Sequence, residues 1–295
     1  MPTLAACLAV LVLACQGLAP DPSHDKPFWR AIAAANYAPP AGAEIAALAL
    51  ELAGTASSTD PELRDELGFE ICARWVRRPG ILSDEDVRKL LRLHLSNIEK
   101  GLGESESDGV FLRSFSALHL SQIATRDLKQ PFLTPAERSE LVTASCRVLR
   151  EERDRRGFVE AKGWAHPIAH NADLLARLAQ EPGLSTDEQR AILGALDAGL
   201  AGTNAFGENE RLAAVLAALV SRADFVEADF ERWLAEAAKA DKAVWQTKPF
   251  SVAAFQKSEN EKALLRSVLL AILLDPKSSE SERKAGEAIR TAFFA

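Results

Sequence analysis

Apolar residues recur at intervals of three and four along almost the whole chain, and no run alternates convincingly with period two. That spacing predicts helices, because residues three and four apart share one face of a 3.6-residue turn. Twelve segments carry it, at residues 27–36, 43–53, 61–77, 84–100, 110–125, 135–151, 166–180, 186–201, 208–221, 225–240, 251–274 and 279–294. Several begin with a side chain able to accept from the free N–H groups of a first turn. Thr59-Asp60-Pro61-Glu62, Ser83-Asp84-Glu85-Asp86, Thr134-Pro135-Ala136-Glu137 and Ser185-Thr186-Asp187-Glu188 are the clearest. Gly54, Gly101 and Gly202 close helices as left-handed caps would.

Three of these starts repeat. Leu82-Ser83, Leu133-Thr134 and Leu184-Ser185 are each 51 residues apart, which is a unit of two helices. The period is slightly longer than in helix pairs of HEAT or armadillo type and predicts the same architecture, an all-α superhelix of stacked pairs sharing a continuous core. The repeat also sets His119 in register with His170. Equivalent positions in stacked units share a surface, so His119 is expected to face the groove that His170 faces. The bland alternative is a satisfied core histidine between Phe115 and Ile123.

The pattern differs only at the start. Residues 1–19 carry no charged side chain, and the apolar stretch Leu4–Ala14 is too short for a membrane span and suits a secretory signal. Val12-Leu13-Ala14-Cys15 is close to a lipobox, whose cysteine would carry the lipid. The expected organisation is a leader over 1–19 and one helical-repeat domain over 20–295. The expected location is the periplasm or cell envelope, with membrane contact only through a lipid anchor at Cys15. A mis-assigned start is the alternative.

One helix carries unusual side chains. His166, His170, Asp173 and Arg177 fall within a stripe about 60° wide at ~100° per residue, and Ile168, Ala172, Leu175 and Ala179 lie opposite. The first set should face a groove and the second the core, so truncating His170 should leave stability within about 0.5 kcal/mol. Pro167 fits a first turn, where its missing N–H has no partner, and this places His166 at the helix start.

The stretch around these residues resembles a known family. Asp154-x-Arg156-Gly157, then Lys162-Gly163-Trp164-Ala165-His166-x-x-Ala169-His170-x-Ala172-Asp173-Leu174-Leu175, looks like the signature of the bacterial family catalogued as domain of unknown function 2785. Arg113-Ser114-Phe115-Ser116-x-Leu118-x-Leu120 upstream and Gly207-Glu208-Asn209-Glu210-Arg211-Leu212-Ala213 downstream are similar to its flanking pieces, over about residues 108–215. The resemblance implies an all-helical protein with no assigned activity.

Composition narrows the partners. A formal charge of −7 and a pI near 5.4 argue against nucleic acid, which requires a basic face. Cys72 and Cys146 sit mid-pattern in helices, as small buried thiols do, and no Cys-x-x-Cys occurs.

Three kinds of chemistry stay open. His166 and His170 at i and i+4, with Asp173, could hold a divalent metal, although Pro167 stands where a zincin has glutamate. A histidine titrating near pH 6.5, oriented by Asp173, Asp154 or Glu152, could serve a hydrolase-type enzyme. The favoured class is a module binding a protein, peptide or small molecule in a groove of His119, His166, His170, Trp164, Lys162 and Arg113. Asp154, Arg156, Glu208 and Glu210 lie at its edges. A structural motif, in which Arg156 or Lys162 pairs with Asp154 or Asp173, is the remaining reading.

Overall fold

The computed structural model describes residues 24–293. The leader and Cys15 lie outside them. Twelve α-helices are present among these residues: α1 (Lys26–Ala34), α2 (Ile45–Gly54), α3 (Glu70–Arg77), α4 (Asp84–Ile98), α5 (Gly109–Lys129), α6 (Pro135–Glu151), α7 (Pro167–Leu178), α8 (Thr186–Gly199), α9 (Glu208–Val220), α10 (Glu227–Val244), α11 (Val252–Leu274) and α12 (Glu280–Phe293). Among the described residues the regular structure is helical but for one hairpin.

The caps explain where helices begin. Ser83 accepts from Asp86 N at α4, and Thr134 with Glu137 and Ser185 with Glu188 form complete capping boxes at α6 and α8. The three repeated starts are therefore equivalent N-caps. Gly101 and Gly202 take the left-handed conformation, at φ 66° and 94°. Gly54 does not: at φ −63° it carries α2 straight into a 3₁₀ turn, Thr55–Ser57, which satisfies the last carbonyls instead.

Alternate helices in sequence are the main neighbours in space. Helix α5 packs on α7, α7 on α9 and α9 on α11, while α6 packs on α8. Across these rows α4 pairs with α5, α6 with α7 and α10 with α11. One continuous apolar core runs from Trp29 to Ile289 and includes the free cysteines Cys72 and Cys146.

Two local structures depart from the helical pattern. Residues 61–77 do not form one α-helix: Glu62–Phe69 is a π-helix that continues into α3. Its wider turn brings different side chains to one face, and such segments are frequent at functional sites. The expectation of no sheet is corrected as well, since β1 (Phe158–Val159) pairs antiparallel with β2 (Gly163–Trp164). Pairing this short leaves no alternation to read. Ala161 and Gly163 turn it with φ of 60° and 77°. A Cβ on Gly163 would also come within 2.8 Å of Pro61 Cβ, so the hairpin lies directly on the start of the π-helix.

Arg64 fastens the two departures together. Its side chain is fully buried, and its guanidinium lies 4.2 Å from the Phe111 ring and 4.6 Å from the Phe115 ring. It donates to Ser58 O at 2.8 Å, Lys162 O at 2.8 Å and Trp164 O at 3.3 Å. Nε also stands 2.7 Å from Asp65 Oδ1, an ion-pair contact out of line for a hydrogen bond. Below the hairpin, Val110, Phe111 and Ala165 form a small apolar cluster of their own. Replacing Arg64 by alanine leaves three carbonyls and Asp65 without their cation. The expected cost is roughly 3–5 kcal/mol, with the Trp164 indole NMR signal moving as the hairpin loosens. Urea denaturation and that signal check it, and a variant as stable as the parent would refute it.

Candidate functional site

A groove of about 500 Å³ opens where the π-helix, α3, α5, the hairpin, α7 and α9 meet. Asp65, Glu66 and Glu70 form one wall. Phe69, Phe115 and Leu118 supply the apolar lining, Trp164, His166 and His170 the opposite wall, and Arg211 one end.

His166 begins α7, as the position of Pro167 predicts, but in a left-handed conformation, φ 50° and ψ 42°. This conformation costs a residue with a Cβ about 1–2 kcal/mol. Two bonds hold it there: its N–H donates to Arg156 O at 3.1 Å, and its carbonyl accepts from His170 N at 3.0 Å. The ring stacks on Trp164 at 4.4 Å and meets His170 edge to face at 5.8 Å. Phe158, Trp164 and Phe206 extend this cluster to the surface, where they are 50%, 41% and 45% exposed. Phe206 lies so close over Gly157 that a Cβ there would stand 2.2 Å from its ring, which explains the glycine.

His170 is tied more firmly than its stripe predicts. Its ring packs edge to face on Phe115 at 5.1 Å, and Nδ1 lies 2.8 Å from Ser114 Oγ. Ser114 is buried and gives its own proton to Ala165 O. Its oxygen must therefore accept from His170, which fixes the neutral Nδ1–H tautomer. The hydroxyl is occupied and shielded, so this pair orients a histidine and does not activate a serine. Burial pushes the His170 pKa down to about 3, with His166, Arg211 and Arg64 adding to the effect. Burial also lowers His166, against the pull of Glu208. It raises Asp65 to about 6 and lifts Asp173 above the usual carboxylate range.

The remaining predicted residues divide. Asp173 gives both oxygens to Arg211 at 2.7 Å, and Arg177 is exposed outside the groove lining. Glu208 sits behind His166, accepting from Phe206 N at 2.7 Å with its other oxygen 4.0 Å from His166 Nε2. Glu210 is exposed on α9. Arg113 is not a groove residue: it forms a fully buried pair with Glu152, at 2.6 and 3.1 Å. Asp154 and Arg156 pair with each other, and they tie to Glu106 N and Ser107 O. Lys162 meets Asp108 at 2.7 Å rather than either aspartate expected of it. These four hold the hairpin loop against the segment before α5.

His119 is also displaced from the groove. It is buried, stacked on His94 at 4.4 Å and edge-on to Phe69 at 5.3 Å. His170 lies opposite Ser114 and Phe115, so His119 stands a full turn further along α5, about 6 Å away by helical rise. Sequence register and spatial register differ by that turn. The predicted shared-metal set of His166, His170 and Asp173 is not assembled, because Asp173 is taken by Arg211. Among the described residues no three His, Cys, Asp or Glu side chains are placed to hold a metal ion.

Asp65, Glu66, Phe69 and Glu70 were missed by reading the sequence. Asp65, Glu66 and Phe69 lie on the π-helix and Glu70 begins α3, and no periodicity in Glu62–Phe69 announces the π turns. Phe206 and Arg211 adjoin or fall in the downstream motif, whose glycine at Gly207 turns the chain into α9 at φ 87°. A second cavity, of about 560 Å³ between α8, α10 and α11, is a weaker candidate. Its Lys257 is bound to Asp197 and Glu261, and Trp233 to Asp197, so its strongest polar groups satisfy one another.

The fold and groove define a helical protein whose signature residues build and brace one ligand-sized depression. The chain belongs to the family described as "Protein of unknown function (DUF2785)", whose model matches residues 98–270, more than half of it. No curated protein and no solved structure matches the chain.

Stability should depend on pH through the buried histidines. His119 and His170 are held at about 3 and His94 well below its usual value, all by burial. Unfolded, each takes up a proton near pH 6.5, so between about pH 6.5 and 3 the unfolded chain binds more protons. Stability is therefore full above that window and falls as pH drops through it, by up to about 1.4 kcal/mol per unit for each histidine. Replacing His170 by alanine should cost about 1–3 kcal/mol near pH 7, not the half expected of a surface position. That cost should shrink towards pH 5. Urea denaturation of both proteins across this range decides it, and a cost that stays constant or grows on acidification contradicts the assignment.

Proposed function

We propose that this is an exported protein whose helix pairs stack into an α-α superhelix and whose groove binds a ligand. Support for the superhelix comes from the 51-residue spacing of the caps at Ser83, Thr134 and Ser185, together with the succession α5, α7, α9, α11 of packed neighbours. The observation that carries the binding reading is the convergence of Trp164, His166 and His170 with three acids from another part of the chain. Exposed aromatic rings beside oriented polar groups are what a recognition site requires. The strained backbone at His166 points the same way, because strain persists where surrounding structure holds it.

A second reading, a hydrolase-type enzyme at the same groove, draws on Asp65. A carboxyl raised to about 6 is suited to giving or taking a proton near neutrality. Turnover of a bound ligand would select it.

His166→Gly separates binding from folding, since glycine takes the left-handed conformation freely while the ring is lost. Compounds and peptides found by their effect on the Trp164 indole signal of the parent should, by calorimetric titration, lose affinity in His166→Gly and Trp164→Ala, with melting temperature retained. Ligands that bind both variants equally well would place recognition elsewhere. For export, intact mass of the protein from its own host should give a chain starting near Cys15 or Pro20. An uncleaved cytosolic chain would end that part of the proposal.

A further inference from the structure

The hydrogen bonds behind the groove decide which atoms it offers. His166 Nε2 faces Phe206 O at 3.0 Å, and a carbonyl only accepts, so this nitrogen carries the proton and Nδ1 keeps its lone pair. His170 has the other tautomer, because the Ser114 proton goes to Ala165 O and Nδ1–H must donate to Ser114. Its lone pair is on Nε2. Neither lone pair has a hydrogen-bond partner among the described residues.

The facing wall offers the same polarity. Asp65, Glu66 and Glu70 contribute carboxylates; Asp65 is in contact with Arg64 and Glu70 is paired with Arg74 at 3.4 Å, whereas Glu66 is exposed with no ion pair or hydrogen bond among the described residues. Arg211 is the one basic side chain in the lining, and its charge is cancelled by Asp173 at 2.7 Å. The rings of Phe69 and Phe115 lie between the walls and Trp164 stands in one of them; ring faces attract cations, and Phe115 already carries the Arg64 guanidinium while Trp164 stacks on His166. An anion would meet the carboxylates at close range. A polyol, which needs donors as well as acceptors, would find few.

Resting on the binding reading above, we infer that the groove takes an organic cation, a primary ammonium or guanidinium carried on an extended apolar chain. The charged head donates to the carboxylates and to the histidine lone pairs, and the chain lies along the rings. Such a group comes from a free polyamine or from a basic side chain of a peptide.

Calorimetric titration of the full chain with 1,4-diaminobutane and with N-acetyl-arginine amide tests this, with 1,4-butanediol and cellobiose as neutral probes. At least one cation should bind and shift the Trp164 indole signal, and which one binds identifies the source. The combined Glu66→Gln and Glu70→Gln variant should weaken binding about tenfold or more. Glu236→Gln, in the other cavity, should leave affinity unchanged and controls for loss of general charge. Equal binding of a neutral probe, unaffected by the double variant, would overturn the cation inference and leave the groove reading standing. No shift of the Trp164 signal with any probe up to about 10 mM would overturn both.

Discussion

A single buried guanidinium organises the part of this molecule that carries the groove. The side chain of Arg64 is fully buried, and its two terminal nitrogens find acceptors on segments far apart in the chain: Ser58, Lys162 and Trp164. Two phenyl faces and a neighbouring carboxylate offset the charge. Lysine could not take this role, because a point charge lacks the planar fork that reaches several carbonyls at once. Removing the charge would free the hairpin from the π-helix. The groove wall on one side and the Trp164–His166 stack on the other are therefore set by one side chain that faces neither solvent nor ligand.

Around that fixed point, the signature residues fall into two kinds of work. Arg113 with Glu152, Asp154 with Arg156 and Lys162 with Asp108 hold the loop between α6 and α7 against the start of α5. The first pair is fully buried, so its strength as evidence for stability is small, while loss of one partner would be costly. Trp164, His166 and His170 use the platform so formed. The expected structural role and the expected binding role thus apply to different residues of one motif.

Twelve helices and their order could be read in the sequence because caps are local: Ser185 and Glu188 close their box within four residues, whatever the rest of the chain does. The end of α7 that carries His166 was readable for the same reason, through Pro167. What escaped is what tertiary contact decides. A two-residue strand pair has no period, and the π-helix differs from an α-helix only in how its turns are spaced. Gly54 carries the residue type of a left-handed cap but continues into a 3₁₀ turn. His119 illustrates the limit of repeat arithmetic, since equivalent places in two units need not touch when packed helices are offset by a turn. Only the first half of the α7 stripe lines the groove: His166 and His170 do, with His170 anchored by Ser114 and Phe115, while Asp173 pairs with Arg211 and Arg177 is exposed outside it.

The division between touching and setting extends to the groove's polarity. Neither histidine chooses its own tautomer. Phe206 O takes one proton, and Ser114, itself committed to Ala165 O, takes the other. Both rings consequently present lone pairs towards a space already lined by carboxylates. A change at Ser114 to alanine would keep the imidazole in place while freeing it to reverse its donor and acceptor nitrogens, and the groove would lose an acceptor without losing a lining residue. The groove's polarity is thus set one layer behind its lining, on the Ser114 hydroxyl of α5 and the Phe206 carbonyl before α9.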